Sequence, residues 1–252
     1  MTNSEMTANR HSADKRLRRD AMRAQDVDNR GGLPRARAYC ARRGSARDQD
    51  GPTHLLPLLR QATRDVHHRV EQHALLAPLT SARLDRAAYV RVLGAFFGFF
   101  RTLEPRLCRL MLPLITGEEG GYRYLPRTGE LRQDLLDLNA SDILEDACPA
   151  RALASPRLET LDHVLGTLYV LEGATQGGRI IAPRVCRALG LDAVQGVRYF
   201  HAYTHGQWAA FRALMSAREL QHDPEGVVDG ARDTFAAVGA HLDAWWNKMP
   251  RS

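Results

Sequence analysis

From Thr53 onward apolar residues recur every three to four positions, and no stretch alternates apolar and polar residues with the period of two that a half-buried strand requires. This pattern predicts an all-α domain. Breakers divide it into helices over about Thr53 to Gln72, from near Ser81 or Asp85 to before Pro105, over GELRQDLLDLN, and from about Pro156 to Ala174 and on through Gly177 to Leu189. Two more follow, from Val194 to Glu219 and from Pro224 to Trp246. Tyr89, Val92, Leu93, Phe96, Phe97 and Phe100 form a core stripe on the second helix. The stretch with Gly117, Gly120, Gly121, Pro126 and Gly129 reads as flexible. No internal repeat is visible, so a single compact helical bundle is expected rather than a solenoid.

Charge separates this domain from what precedes it. Residues 1–50 hold 12 Arg and Lys against 7 Asp and Glu, a net +5 out of the total +6, so the remaining residues are nearly neutral. The same segment has few large aliphatics and one aromatic, Tyr39, too little apolar surface to offset the entropy of ordering it. It is expected to be a disordered basic N-terminal arm over 1–52, ahead of a helical domain over 53–249. The sequence SADKRLRRDAMRAQ within it has the composition of a short basic helix, so an acidic partner for the arm remains open. A neutral folded part without a reading motif argues against nucleic acid. Cys40, Cys108, Cys148 and Cys186 form no Cys-x-x-Cys pair and read as reduced thiols. No apolar run reaches the roughly 18 to 20 residues of a membrane span, and no apolar block follows the N-terminal charges, so a cytoplasmic protein is expected.

Two stretches carry chemistry. In LLRQATRDVHHRVEQ, residues 58–72, Arg60, Arg64, His67 and Glu71 lie at i, i+4, i+7 and i+11 and share one helical face. A neutral imidazole donates a ring-nitrogen lone pair to iron, and a carboxylate one turn later accepts the other N–H and fixes the tautomer. Guanidinium groups one and two turns earlier suit a ligand's carboxylates. The same spacing also describes an ordinary solvated charge face, and His68 competes with His67.

The second stretch is LGTLYVLEGATQGGRIIAPRV, residues 165–185, helical in its apolar pattern yet holding Gly166, Gly173, Gly177 and Gly178. Each interior glycine costs about 0.5 to 1 kcal/mol relative to alanine, so three within six residues call for a compensating use. Gly173 and Gly177 share a face, against which a flat ligand can lie with room for a diatomic molecule. A close helix crossing, or a break at Gly177-Gly178, accounts for the glycines equally well.

Together the stretches resemble the heme oxygenase family, in particular its bacterial biliverdin-producing branch. The match is L-R-x-A-T-x-x-x-H-x-x-x-E at Leu59 to Glu71, and L-E-G-x-x-x-G-G at Leu171 to Gly178, roughly a hundred residues on. Y-x-x-x-Q-W-x-x-F at Tyr203 to Phe211 and the terminal tryptophans are similar to the family's closing helices. The resemblance implies His67 as proximal iron ligand, Glu71 beside it, and Arg60, Arg64 and Arg179 on the heme side. It implies Gly173, Gly177 and Gly178 on the distal helix. Heme, iron protoporphyrin IX, would be both prosthetic group and substrate, cleaved with molecular oxygen to biliverdin, ferrous iron and carbon monoxide. No Gly-x-Gly-x-x-Gly fingerprint occurs, so electrons would come from an external reductase or ferredoxin, and a phytochrome is a candidate recipient of the biliverdin. One departure is clear. The animal enzymes carry an aspartate directly after the first distal glycine, organising water that delivers protons, and this chain has Ala174.

Three rivals remain at this level. A non-catalytic heme-binding or heme-trafficking protein on the same fold is favoured by Ala174. A di-iron oxidase wants Glu-x-x-His on two helices, and only Glu219 to His222 has that spacing. An adaptor with a basic arm and a purely structural domain would show salt-sensitive binding to nucleic acid.

Overall fold

The computed structural model of the chain describes residues 55–81, 84–115, 122–146, 155–192, 194–201, 206–216 and 223–248. The expected arm, Cys40, Cys148, Tyr203, Glu219 and His222 lie outside them. The described residues belong to the unit Gln49–Ser252, and their secondary structure is helical, with no strand among them. In chain order the helices are α1 (Leu55–Glu71), α2 (Arg86–Ile115), α3 (Thr128–Asp137), α4 (Ser141–Asp146), α5 (Leu161–Leu189), α6 (Arg198–His201), α7 (Gln207–Ser216) and α8 (Pro224–Lys248), with a 3-10 turn at Ala77–Thr80.

Local chemistry accounts for most boundaries. Asp85 opens α2, its Oδ1 accepting the Ala88 N–H at 2.7 Å. Thr160 caps α5 by accepting the His163 N–H, which starts that helix at Leu161 rather than at Pro156, and Gly190 closes it at φ 66°. Two expectations fail. α2 runs on through Pro105 to Ile115. Proline forfeits only the bond to the carbonyl four residues back, which belongs to Arg101, and both residues are exposed so that water can replace it. The expected helix from Val194 to Glu219 starts only at Arg198, after Gly196 at φ 79°, and α7 is set off by Gly206 at φ 110°, both angles outside the right-handed helical region.

Of the stretch expected to be flexible, Gly117, Gly120 and Gly121 lie outside the described residues, whereas Tyr122 to Thr128, around Pro126, is pinned in the core. Tyr122, Tyr124 and Arg127 are buried there. The short α6 is anchored from α3, where the fully buried Asp134 accepts the backbone N–H groups of Arg198 and Tyr199, both at 2.8 Å.

α8 organises the bundle by packing along both α5 and α1 while also reaching α2. Its crossing with α5 is a backbone contact. A Cβ on Gly166 would lie 2.1 Å from the Val227 carbonyl oxygen, and one on Gly230 would lie 2.5 Å from that of His163. A hydrogen bond at 3.0 Å between the hydroxyls of Thr167 and Thr234 fixes the register beside it. On the other flank the α1 exit is tied to α8 through His73, whose Nδ1 accepts the Leu75 N–H and whose Nε2 reaches Asp243 at 3.1 Å. Of the stripe expected on α2, Tyr89, Val92, Leu93, Phe97 and Phe100 are buried and Phe96 is half-buried, while Phe99, outside that stripe, is buried as well.

Candidate functional site

α1 buries Leu59 and Thr63 and turns Arg60, Arg64, His67 and Glu71 outward together. His67 Nε2 stands 3.5 Å from Glu71 Oε1, a charge contact too long for a hydrogen bond, with the two side chains 52% and 59% exposed. The imidazole meets the edge of Phe235 on α8, ring centroids 5.5 Å apart at 70°. The two ring nitrogens lie on opposite edges, so whichever faces Glu71 leaves the other free. Half-exposure of both residues leaves room for the ring to exchange them. His68 is also exposed, but its neighbour His67 is the one at ion-pair distance from the carboxylate.

α5 continues unbroken through all four of its glycines, so the expected alternative of a break at Gly177-Gly178 is not what they do. Their environments divide them. Gly166 makes the close crossing with α8, whereas a Cβ on Gly173 would meet nothing within 4 Å, and one on Gly177 only Ile181 Cδ1 at 3.9 Å. Gly173 and Gly177 therefore border open space. Gly178 is buried and turns to the core side. Arg179 is exposed but lies about 200° around the helix from Gly177, so it does not share the open face. Ala174 is exposed.

Consecutive residues of α8 relate the two stretches, Thr234 holding α5 at Thr167 and Phe235 holding α1 at His67. Gly173 follows Thr167 by about 9 Å of helical rise. A further link was absent from the sequence reading. Burial pushes the Tyr169 hydroxyl above its usual range, while a hydrogen bond with Thr63 and the charge of Arg60 pull it back, so α5 meets α1 one turn before both Gly173 and His67. The Tyr169 ring also faces Trp208 of α7 at 6.3 Å. An aromatic four residues ahead of Gly173 is visible in the sequence; its partner on α1 is not.

Behind α5 lies a buried polar cluster, also unforeseen. Glu172, fully buried, accepts the Tyr122 hydroxyl at 2.8 Å and pairs with Arg127 Nη2 at 3.3 Å through the same Oε1. The Arg127 guanidinium lies over the rings of Tyr124 and Phe100, 5.1 and 5.5 Å from their centroids, and donates to the Tyr124 hydroxyl. Glu104 accepts from the Tyr124 hydroxyl, the Arg127 and Thr128 N–H groups and the Thr128 hydroxyl. Burial, chiefly, raises the Tyr122 and Tyr124 hydroxyls, which stay protonated and act as donors.

Among the described residues no group of three or more His, Cys, Asp or Glu side chains is placed to hold a metal ion, and no helix is long and apolar enough to cross a membrane. What the site offers is one histidine with a carboxylate neighbour, arginines along its edge, and a helix whose backbone is bare on one face. A flat ligand bearing its own iron and anionic groups fits that set, because a single protein nitrogen suffices to ligate it and the glycine face leaves the volume a Cβ would fill.

The family model for heme oxygenase matches residues 53–243. A heme oxygenase of Xanthomonas campestris pv. campestris is 26% identical over 146 residues, covering 57% of this chain and 81% of that protein. The solved heme oxygenase of Leptospira interrogans superposes with a TM-score of 0.55 at 20% identity, over 75% of this chain and 98% of that one. Heme oxygenase-1 of the cyanobacterium Synechocystis, solved in complex with heme, does so with a TM-score of 0.57 at 18% identity, over 76% and 91%.

Proposed function

Because the chain belongs to the heme oxygenase family, we propose that it cleaves heme oxidatively to biliverdin, ferrous iron and carbon monoxide, with molecular oxygen and electrons from an external reductase or ferredoxin. The observation that carries the reading is the space left open by the described residues at Gly173 and Gly177, on a helix whose crossing glycine, Gly166, is packed against backbone. Two such glycines one turn apart on a face that follows the α1 contact leave the volume that a flat ligand would fill.

In this reading residues 53–249 form the working domain. Bound heme supplies the iron that activates oxygen and the ring that is opened. His67 would hold the iron through one ring nitrogen, and Glu71, whose Oε1 lies 3.5 Å from Nε2, would accept the N–H of the other and keep the imidazole neutral and oriented. Arg60 and Arg64, one and two turns before His67 on the same exposed face, hold the propionates by charge-assisted hydrogen bonds. Gly173 and Gly177 let the distal helix lie close over the ring and limit which edge faces oxygen. Gly178, buried, supports this by letting α5 approach its own core neighbours. Arg179, on another face, is the weakest member of the proposed set.

A second reading, heme binding or trafficking without turnover, is favoured by the exposed Ala174, which offers no side-chain group to order water. Hemin added to the pure protein, followed by ascorbate or a reductase under air, separates the two. The enzyme replaces the heme absorption by that of a bile pigment. A complex whose heme absorption persists through many equivalents of reductant would exclude turnover.

A further inference from the structure

The Glu172 carboxylate is the one feature near the bare face of α5 that the proposed mechanism leaves unused. Its Oε1 takes both the Tyr122 hydroxyl and Arg127, whereas its Oε2 is buried and has no hydrogen-bond partner among the described residues. Buried carboxylate oxygens are normally satisfied, so an unmatched one points to a bound water molecule at that position. Charge points the same way. Among the described residues Arg127 is the cation paired within a cluster of two carboxylates, and Glu104 engages both of its oxygens with four donors. The group left with spare acceptor capacity is therefore Glu172.

Its surroundings hold it in place. Tyr122, Tyr124 and Arg127 face it from the segment before α3, Glu104 of α2 stands behind Arg127, and α7 contributes the ring of Phe211 against Tyr122 at 5.6 Å. On the same turn the buried Thr175 hydroxyl donates to the Glu172 main-chain carbonyl, and the half-buried Gln176 amide donates to that hydroxyl at 3.2 Å. Glu172 itself, next to Gly173 in the chain, is thus what joins the buried cluster to the turn that carries Gly173 and Gly177.

We propose that Glu172, held by Tyr122 and Arg127 with Oε2 left over, is a positioning residue that sets the proton affinity of the face bordered by Gly173 and Gly177, compensating for the carboxylate missing at Ala174. The proposal rests on the reading of that face as the oxygen side of bound heme. A fixed negative charge behind the helix disfavours a second anion on its far side, so hydroxide and other anions bind there less readily than they would beside a neutral residue.

The test uses the ferric heme complex of the full chain, read by absorption without turnover. Glu172→Gln keeps the shape and removes the charge, and should lower the midpoint of the acid–alkaline transition by about half to one pH unit and tighten fluoride binding at pH 6 roughly threefold to tenfold. Tyr122→Phe withdraws a donor and leaves the charge more concentrated, so both quantities should move the opposite way. Thermal unfolding of each variant reports any purely structural effect separately. Variants that lose stability while midpoint and fluoride affinity stay at parent values would overturn the assignment of Glu172 and leave the functional reading standing. A parent protein that takes up no histidine-ligated heme would overturn both.

Discussion

Substituting alanine for the glycines of α5 should change stability with opposite signs along a single helix. At Gly173 a new Cβ meets nothing within 4 Å, and at Gly177 it makes an ordinary contact with Ile181 Cδ1 at 3.9 Å. Neither glycine has a positive φ. Each replacement therefore adds helix propensity without strain, about 0.5 to 1 kcal/mol, and the double variant Gly173→Ala/Gly177→Ala should be about 1 to 2 kcal/mol more stable without heme. For a domain of this size that raises Tm by roughly 2 to 8 °C. Gly166→Ala should do the reverse, because its Cβ would stand 2.1 Å from the Val227 carbonyl oxygen and 2.6 Å from the Ala231 nitrogen, and α5 and α8 must separate to admit it. Overpacking against backbone costs about 1 to 3 kcal/mol or more.

Circular dichroism of the heme-free proteins measures these shifts, and hemin titration with ascorbate turnover measures what the extra stability displaces. A leucine at Gly173 or Gly177 fills the open face, so turnover should fall more than heme binding does, although leucine is the better helix former. A folded, heme-loaded Gly177→Leu protein that makes biliverdin at the parent rate would refute the placement of the oxygen face. Destabilisation of Gly173→Ala comparable to that of Gly166→Ala would refute the packing argument itself.

Three further outcomes are expected. His67→Ala should abolish the axial imidazole signature of the ferric heme complex while His68→Ala preserves it, and identical spectra from the two variants would remove His67 as ligand. Burial pushes the Asp134 carboxyl up from 3.8 to about 6, against hydrogen bonds from the Tyr199 and Arg198 N–H groups. The folded state then binds the proton more tightly than the unfolded chain, so stability falls as pH rises from about 4 through 6. Relative to Asp134→Asn in urea titrations the parent should lose up to about 3 kcal/mol across that window, and a difference independent of pH would contradict the assignment. A chain starting at Gly51 should keep its helical content and bind one heme; correct folding without heme uptake would make the preceding residues part of the site.

The helical class, the core stripe of α2 and the shared face of Arg60, Arg64, His67 and Glu71 were all legible because each depends on spacing within one helix. So were the start of α2 near Asp85 and the end of α5 at Leu189. Local spacing misjudged Pro105, whose effect depends on whether water reaches the carbonyl it abandons, and it misjudged the stretch after Val194, where two glycines adopt backbone angles that no periodicity announces.

Sequence by itself determined the helical class and which helices carry the residues proposed for the heme site. Only the tertiary structure decided which glycines do what. Gly166 and Gly173 are the same residue type on the same helix, and they differ in whether α8 passes within contact distance. The pairings of Glu172 with Tyr122 and Arg127, and of Asp134 with the N-terminus of α6, likewise join residues 45 or more positions apart. The reason is physical. Helical periodicity records which face of a segment avoids water, and it holds no information about which distant segment covers that face or leaves it open.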